Sequence, residues 1–142
     1  MQRVSQAQVS VAGQVMGQIG PGLLLLVCAE PTDTTQQATK LVDKVLKLRI
    51  FADAAGKMNH SLVDVAGGLL VVSQFTLVAD VSAGNRPSFA GAAEPLLGRA
   101  LYDAVLRIAR ERHPVVAAGQ FGADMQVSLV NDGPVTIPLR FS

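Results

Sequence analysis

The sequence predicts a single α+β domain, and three observations carry that expectation. The chain has 142 residues, the size of one ordinary domain. Segments alternating between apolar and polar residues stand at both ends, and two long segments with helical spacing stand between them. These strands and helices follow one another without a regular β-α-β rhythm, so α+β fits better than a doubly wound parallel sheet.

Near the start, Ala7, Val9 and Val11 alternate with Gln6, Gln8 and Ser10, the period of a half-buried strand. Ala12-Gly13-Gln14 reads as a turn, and Val15 to Ile19 as a second short strand. Gly20-Pro21-Gly22 then punctuates the chain before Leu23 to Ala29, an apolar run suited to a buried strand. Thr34 to Leu48 reads as a helix, with Leu41, Val45 and Leu48 on one face, Val42 and Leu46 beside them, and Lys40, Lys44 and Lys47 on another.

Gly67-Gly68 introduces a second buried strand, Leu69 to Leu77, followed by a polar loop from Asp80 to Phe89. The second helix is Glu94 to Arg112, with Pro95 in its first turn, a buried stripe of Leu97, Leu101, Val105 and Ile108, and an expected Asp103–Arg107 pair. Two alternating stretches follow, Met125 to Leu129 and Val135 to Phe141. Asn131-Asp132-Gly133-Pro134 reads as a turn between them, and Pro138 makes the last strand an edge or leaves that position unpaired.

Composition excludes several classes. Hydrophobic residues make up 49% and charged residues 16%, too apolar for a disordered chain. Twelve basic against eleven acidic residues leave a net charge of +1, so any hold on nucleic acid must come from a local patch. The single cysteine, Cys28, rules out an internal disulfide and a multi-cysteine zinc site, and it fits a reducing compartment. No apolar run reaches the roughly 18 residues of a membrane span, and no signal core is visible, so a cytoplasmic protein is expected.

The two histidines, His60 and His113, have no metal-ligand spacing, and both read as surface residues. Cys28 lies in an apolar run and reads as a small buried hydrophobe. Neither a metal nor an organic cofactor is expected. Polar residues in unusual places remain: Ser73-Gln74-Phe75-Thr76 closes a hydrophobic strand, which suits either a pocket mouth or a plain strand end. Gly133-Pro134 is either a special backbone feature or an ordinary turn. Lys40, Lys44, Lys47, Arg99, Arg107, Arg110 and Arg112 supply either a phosphate-facing patch or solvated helix faces.

Read together, these pieces resemble the D-aminoacyl-tRNA deacylase family over almost the whole chain. The resemblance rests on Gln2-Arg3-Val4, on Gly20 with Gly22 to Val27, on Leu48-Arg49-Ile50-Phe51 and on Gly56-Lys57-Met58-Asn59. It continues through Ser73-Gln74-Phe75-Thr76-Leu77, Gly84-Asn85-Arg86-Pro87-Ser88-Phe89, Phe121-Gly122-Ala123, Met125 and Asn131-Asp132-Gly133-Pro134-Val135-Thr136. The segments around Ser73 and Gly133 are specific in combination. Ser82-Ala83 departs from the pattern, standing where a lysine is frequent.

The resemblance implies a homodimer with a mixed, partly barrel-like sheet and two main helices, its active sites at the subunit interface. It implies hydrolysis of the ester between a D-amino acid and the terminal adenosine of tRNA, with the tRNA 3′ end as partner. Ser73, Gln74, Phe75 and Thr76 become the expected catalytic segment. Gly133 and Pro134, as a cis dipeptide inserted into the other subunit's pocket, become the chiral filter, with Met125 and Phe121 beside it. Arg86 and Lys57 become candidate tRNA contacts. The alternatives are a non-catalytic binder of RNA 3′ ends or D-amino acids on the same scaffold, and a generic esterase, which the missing nucleophile–histidine pairing disfavours.

Overall fold

Two leucine- and valine-rich strands, adjacent in the sheet, organise the molecule, because each buries both of its faces. The computed structural model describes residues 1–142. It begins with β1 (Gln2–Val11), β2 (Gln14–Ile19) and β3 (Gly22–Val27), followed by α1 (Thr35–Lys47). A small hairpin, β4 (Phe51–Ala52) with β5 (Met58–His60), leads through α2 (Leu62–Val65) to β6 (Gly68–Ser73). A single 3-10 turn (Phe75–Val78), then α3 (Pro95–Arg112), β7 (Val116–Ala118) and β8 (Gln126–Thr136) complete the chain.

Strand β3 pairs in parallel with β6, and β6 with β7, whereas β1 runs antiparallel to β2, β3 and β8. Side chains alternate across a strand, so Leu23, Leu25, Leu69 and Val71 point to the layer of α1 and α3. Leu24, Leu70 and Val72 point the other way, onto Val4, Ala7 and Val9 of β1. This two-sided burial explains why the runs lack polar alternation. The sheet curls until β2 approaches β7: a Cβ on Gly17 would stand 2.7 Å from the Ala118 carbonyl oxygen, so only glycine admits this near-closure. The result is a single α+β domain with a nearly closed mixed sheet. No helix is long and apolar enough to cross a membrane.

Helix α1 starts where its cap stands. The Thr34 hydroxyl accepts from the Gln36 N–H at 3.2 Å, and Gln37 Oε1 accepts from the Thr34 N–H at 2.7 Å. Val42, Val45 and Leu46 face the core, while Leu41 turns toward the cleft described below. In α3, Leu101, Val105 and Ile108 are buried as expected, but Arg107 pairs with Glu111 at 3.3 Å rather than with Asp103.

Four expectations are corrected. The strand predicted over Leu69–Leu77 ends at Ser73, because the chain tightens into the 3-10 turn at Phe75. No separate strand forms over Val135–Phe141; instead β8 runs on through Asn131-Asp132-Gly133-Pro134 and ends at Thr136. His113 is not a surface residue: it is 5% exposed and its Nε2 lies 2.6 Å from the Gly67 carbonyl oxygen. The chain leaving α3 must turn into β7 beside β6, which seats this imidazole against the entrance of β6. Cys28 is only half-buried, at the wall of the cleft.

Candidate functional site

The end of β6 opens into a cleft of about 1380 Å³ between the sheet, α1 and α3. Its walls include Ser73, Gln74, Phe75 and Thr76, so the structure brings the whole expected catalytic segment to one place. Phe121 and Met125 line the same cleft from the segment before β8.

The segment changes direction at Gln74. Its N–H donates to the Val27 carbonyl at 2.8 Å, continuing the ladder to β3 for one residue beyond β6. Its side-chain Nε2 then donates to Thr76 Oγ1 at 3.0 Å. The opening turn of the 3-10 segment leaves the N–H groups of Phe75 and Thr76 without intrahelical acceptors, so donors collect at this rim. Phe75 is 56% exposed and packs edge-on against Phe89, ring centroids 5.0 Å apart. Phe89 follows the loop that the Asp80–Ser88 bridge closes, so that bridge sets one lip of the cleft.

No imidazole serves Thr76. His113 is buried against Gly67, and His60 lies beside Asp64 at 3.9 Å. Cys28 also lies on this wall, with Sγ directed at the Ala29 carbonyl at 3.3 Å and the Phe75 carbonyl at 3.7 Å. Burial pushes its pKa up, and the charges of Glu30 and Asp33 push it further. The thiol therefore stays protonated at neutral pH, a poor nucleophile.

Tyr102 went unremarked in the sequence, hidden between the positions of the apolar stripe of α3. Its hydroxyl donates to the Val71 carbonyl at 2.9 Å, and its ring packs on Phe121, centroids 5.9 Å apart. Desolvation raises its pKa, so it remains a donor. Arg99 lies over the other aromatic of this pair, 5.3 Å from the Phe121 centroid. Tyr102 thus ties α3 to the strand that ends in Ser73.

Gly133 and Pro134 are not part of this chain's cleft. Their peptide bond is cis, and Gly133 has φ +125°. In the β1–β8 ladder Val4 faces Asn131 and Gln2 faces Thr136, so residues 132–135 loop out opposite Arg3 alone. Arg3 holds that loop: Nε donates to the Asp132 carbonyl at 3.0 Å, and NH1 to the Ile50 carbonyl at 2.6 Å. A Cβ on Gly133 would stand 2.9 Å from Val135 Cγ2 and 3.0 Å from the Arg3 guanidinium. Val135 is buried, while Asp132, Gly133 and Pro134 project outward.

Arg86 and Lys57 are exposed and line no part of the cleft. Lys57 sits in the β4–β5 turn, where its N–H and that of Ala55 donate to the Asp53 carboxylate at 3.0 and 2.8 Å. Those bonds hold Asp53 below the usual carboxylate range.

A small α+β protein with a nearly closed sheet, a donor-rich rim at the end of one strand and an outward Gly-Pro loop on another is the class these features define. The chain belongs to the D-Tyr-tRNA(Tyr) deacylase family, whose model matches residues 1–140. It is 66% identical to a D-aminoacyl-tRNA deacylase of Albidiferax ferrireducens, covering all of this chain and 92% of that protein. It is likewise 66% identical to the D-aminoacyl-tRNA deacylase of Methylibium petroleiphilum, over 98% of this chain and 91% of that one.

Among solved structures it is similar to the c-Myc DNA unwinding element binding protein, with a TM-score of 0.93 and 38% identity over 99% of this chain and 96% of that one. A probable eukaryotic D-amino acid tRNA deacylase shares the fold, with a TM-score of 0.79 at 19% identity over 94% of this chain and 92% of that one.

Proposed function

We propose that this protein hydrolyses the ester between a D-amino acid and the 3′-terminal adenosine of tRNA, in the cytoplasm where mischarged tRNA arises. Full-length similarity to D-aminoacyl-tRNA deacylases supports the reading, and the observation that carries it is the cleft at the end of β6. In the reaction, water adds to the ester carbonyl and the bond from that carbon to the ribose 3′ oxygen breaks. A proton passes to the departing oxygen, releasing the free amino acid and intact tRNA.

The side chains at the rim favour positioning over nucleophilic attack. Thr76 has Gln74 as its hydrogen-bond partner and no base, so its hydroxyl is a weak nucleophile. The N–H groups of Phe75 and Thr76 are the donors we assign to the developing oxyanion, and such donors contribute about 3 kcal/mol each where water is excluded. Proton transfer is assigned to the 2′-hydroxyl of the substrate's own ribose, the group nearest the scissile bond.

Chirality is read by backbone. The Gly133-Pro134 loop is exposed and lines no part of its own chain's cleft, which supports a homodimer in which each loop enters the partner's cleft. Exchanging L for D swaps the hydrogen and side chain on one carbon, so a wall of backbone atoms rejects the L form by collision without reading side-chain identity. Glycine, having nothing to collide, escapes rejection and is also hydrolysed. Phe121 and Met125 form the apolar floor beside this filter.

The test is a paired time course on D-tyrosyl-tRNA and L-tyrosyl-tRNA at nanomolar to micromolar protein. Loss of the D-ester with the L-ester spared is expected. Equal loss of both identifies a generic esterase, and loss of neither identifies a non-catalytic binder.

A further inference from the structure

Three lysines on α1 form a charged edge that leads away from the cleft. Lys40, Lys44 and Lys47 are all exposed, and their spacing stacks them along one side of the helix. At 1.5 Å per residue the edge is about 10 Å long. Gln37 and Leu41 line the cleft, and each stands three residues before a lysine, so the edge begins at the cleft rim. Arg112, at the end of α3, joins this face: its NH1 lies 3.7 Å from Asp43 Oδ1, which also receives Lys47 Nζ at 2.8 Å.

Two of these four cations, Lys47 and Arg112, thus share one carboxylate, while the whole chain carries only +1. Lys40 and Lys44 have no ion-pair partner. The Lys47 and Asp43 side chains are 72% and 48% exposed, and pairs this open to water are weak enough for a phosphate to compete with them. Glu30 and Asp33 line the cleft just before α1, and Glu30 is ion-paired with Arg140.

We propose that the Lys40–Lys44–Lys47 edge, with Arg112, binds the phosphate backbone of the tRNA acceptor stem while the 3′ end occupies the cleft. The inference rests on the deacylase reading for its ligand. A tRNA 3′ end is a short single-stranded tail on a duplex, so a substrate that places its ester in the cleft brings stem phosphates over a bordering face. This edge is a bordering face with charge of the matching sign. Its contacts read no base, so they supply affinity shared by every tRNA.

The test compares wild type with the triple variant K40Q/K44Q/K47Q in two assays. Binding of uncharged tRNA is measured across a salt series, and hydrolysis is measured on D-tyrosyl-tRNA and on D-tyrosyl-adenosine, which has no stem. The variant is expected to bind tRNA about tenfold more weakly, with the slope of log K against log salt shallower by about 2 to 3. Its hydrolysis of D-tyrosyl-adenosine is expected to match wild type. Unchanged affinity and slope overturn the proposal, as does a parallel loss on D-tyrosyl-adenosine, which would place the defect in the cleft. A wild type that shows the salt-dependent difference yet hydrolyses no D-ester refutes the deacylase reading and leaves the docking surface standing.

Discussion

Arg3 Nε donates to the carbonyl of Asp132 at 3.0 Å across 129 residues of sequence, and this bond fixes the base of the outward Gly133-Pro134 loop. The same guanidinium reaches the Ile50 carbonyl at 2.6 Å, so one planar fork joins β1, the segment after α1 and the β8 loop.

Arg3→Lys keeps the charge but loses the fork, since one ammonium cannot reproduce the two directed bonds. The variant is expected to lower D-tyrosyl-tRNA hydrolysis by about tenfold or more, because a misplacement near 1 Å at a positioning group costs up to about a hundredfold. Paired D- and L-ester time courses check it, and wild-type rates with wild-type selectivity would remove Arg3 from the filter.

Gly133→Ala tests the loop itself. The position has φ +125°, and a Cβ there would stand 2.9 Å from the side chain of buried Val135. A residue forced into that region costs about 1 to 3 kcal/mol, so the loop shifts or the protein loses that much stability. Loss of selectivity is expected to exceed the loss of stability seen in a urea titration. A variant with full stability and unchanged D/L discrimination would contradict the wall.

Thr76→Ala and a 2′-deoxy substrate separate two mechanisms. With positioning and substrate-assisted chemistry, Thr76→Ala is expected to retain measurable turnover, reduced by about tenfold, whereas removal of the 2′-hydroxyl is expected to cost about a hundredfold or more. Full activity on the deoxy ester would refute the assisted route. Complete inactivity of Thr76→Ala with an intact fold would restore the threonine as nucleophile.

Tyr102→Phe removes one of two hydrogen bonds to the Val71 carbonyl, which also accepts from Gly119 N–H at 3.2 Å. With that second donor retained, the expected loss is about 1 kcal/mol of unfolding free energy, measurable by denaturant titration. Catalytic constants are expected to move little, since the hydroxyl faces the strand rather than the reacting atoms.

Cys28 offers a pH test. Its pKa is raised by burial and by Glu30 and Asp33, so its thiolate fraction is below that of an ordinary thiol at any given pH. Alkylation by iodoacetamide is expected to accelerate only at pH values above those where a free cysteine peptide reacts. Bound substrate analogue is expected to slow it, because the residue lines the cleft. Reaction at the free-peptide rate near pH 7 would contradict the burial argument.

Much of the fold was legible because the controlling signals are local. The buried runs of β3 and β6, the capped amphipathic α1 and the proline-started α3 announce themselves through spacing and end residues, and apart from the end of β6, four residues early at Ser73, their bounds differ from expectation by one or two residues. The expected site segment was legible as polar residues closing an apolar strand. The failures share a cause. Asn131-Asp132-Gly133-Pro134 has turn composition, yet it is a loop bulging within one long strand, because pairing with β1 holds both sides. His113 and Tyr102 gain their hydrogen-bond partners from Gly67 and Val71, distant in sequence, and helical spacing on α3 names neither partner.

By itself the sequence determined the α+β class, the two helices and the strand whose end forms the cleft, since these depend on side-chain period and capping within a few residues. Only the tertiary structure decided that Arg3 holds the Gly133-Pro134 loop, that this loop is exposed and outside its own cleft, and that the edge of Lys40, Lys44 and Lys47 starts beside cleft residues Gln37 and Leu41. Each is a relation in space between segments far apart in the chain. It is set by the curl of the sheet and by how α1 and α3 pack on it, quantities that no short window of residues contains.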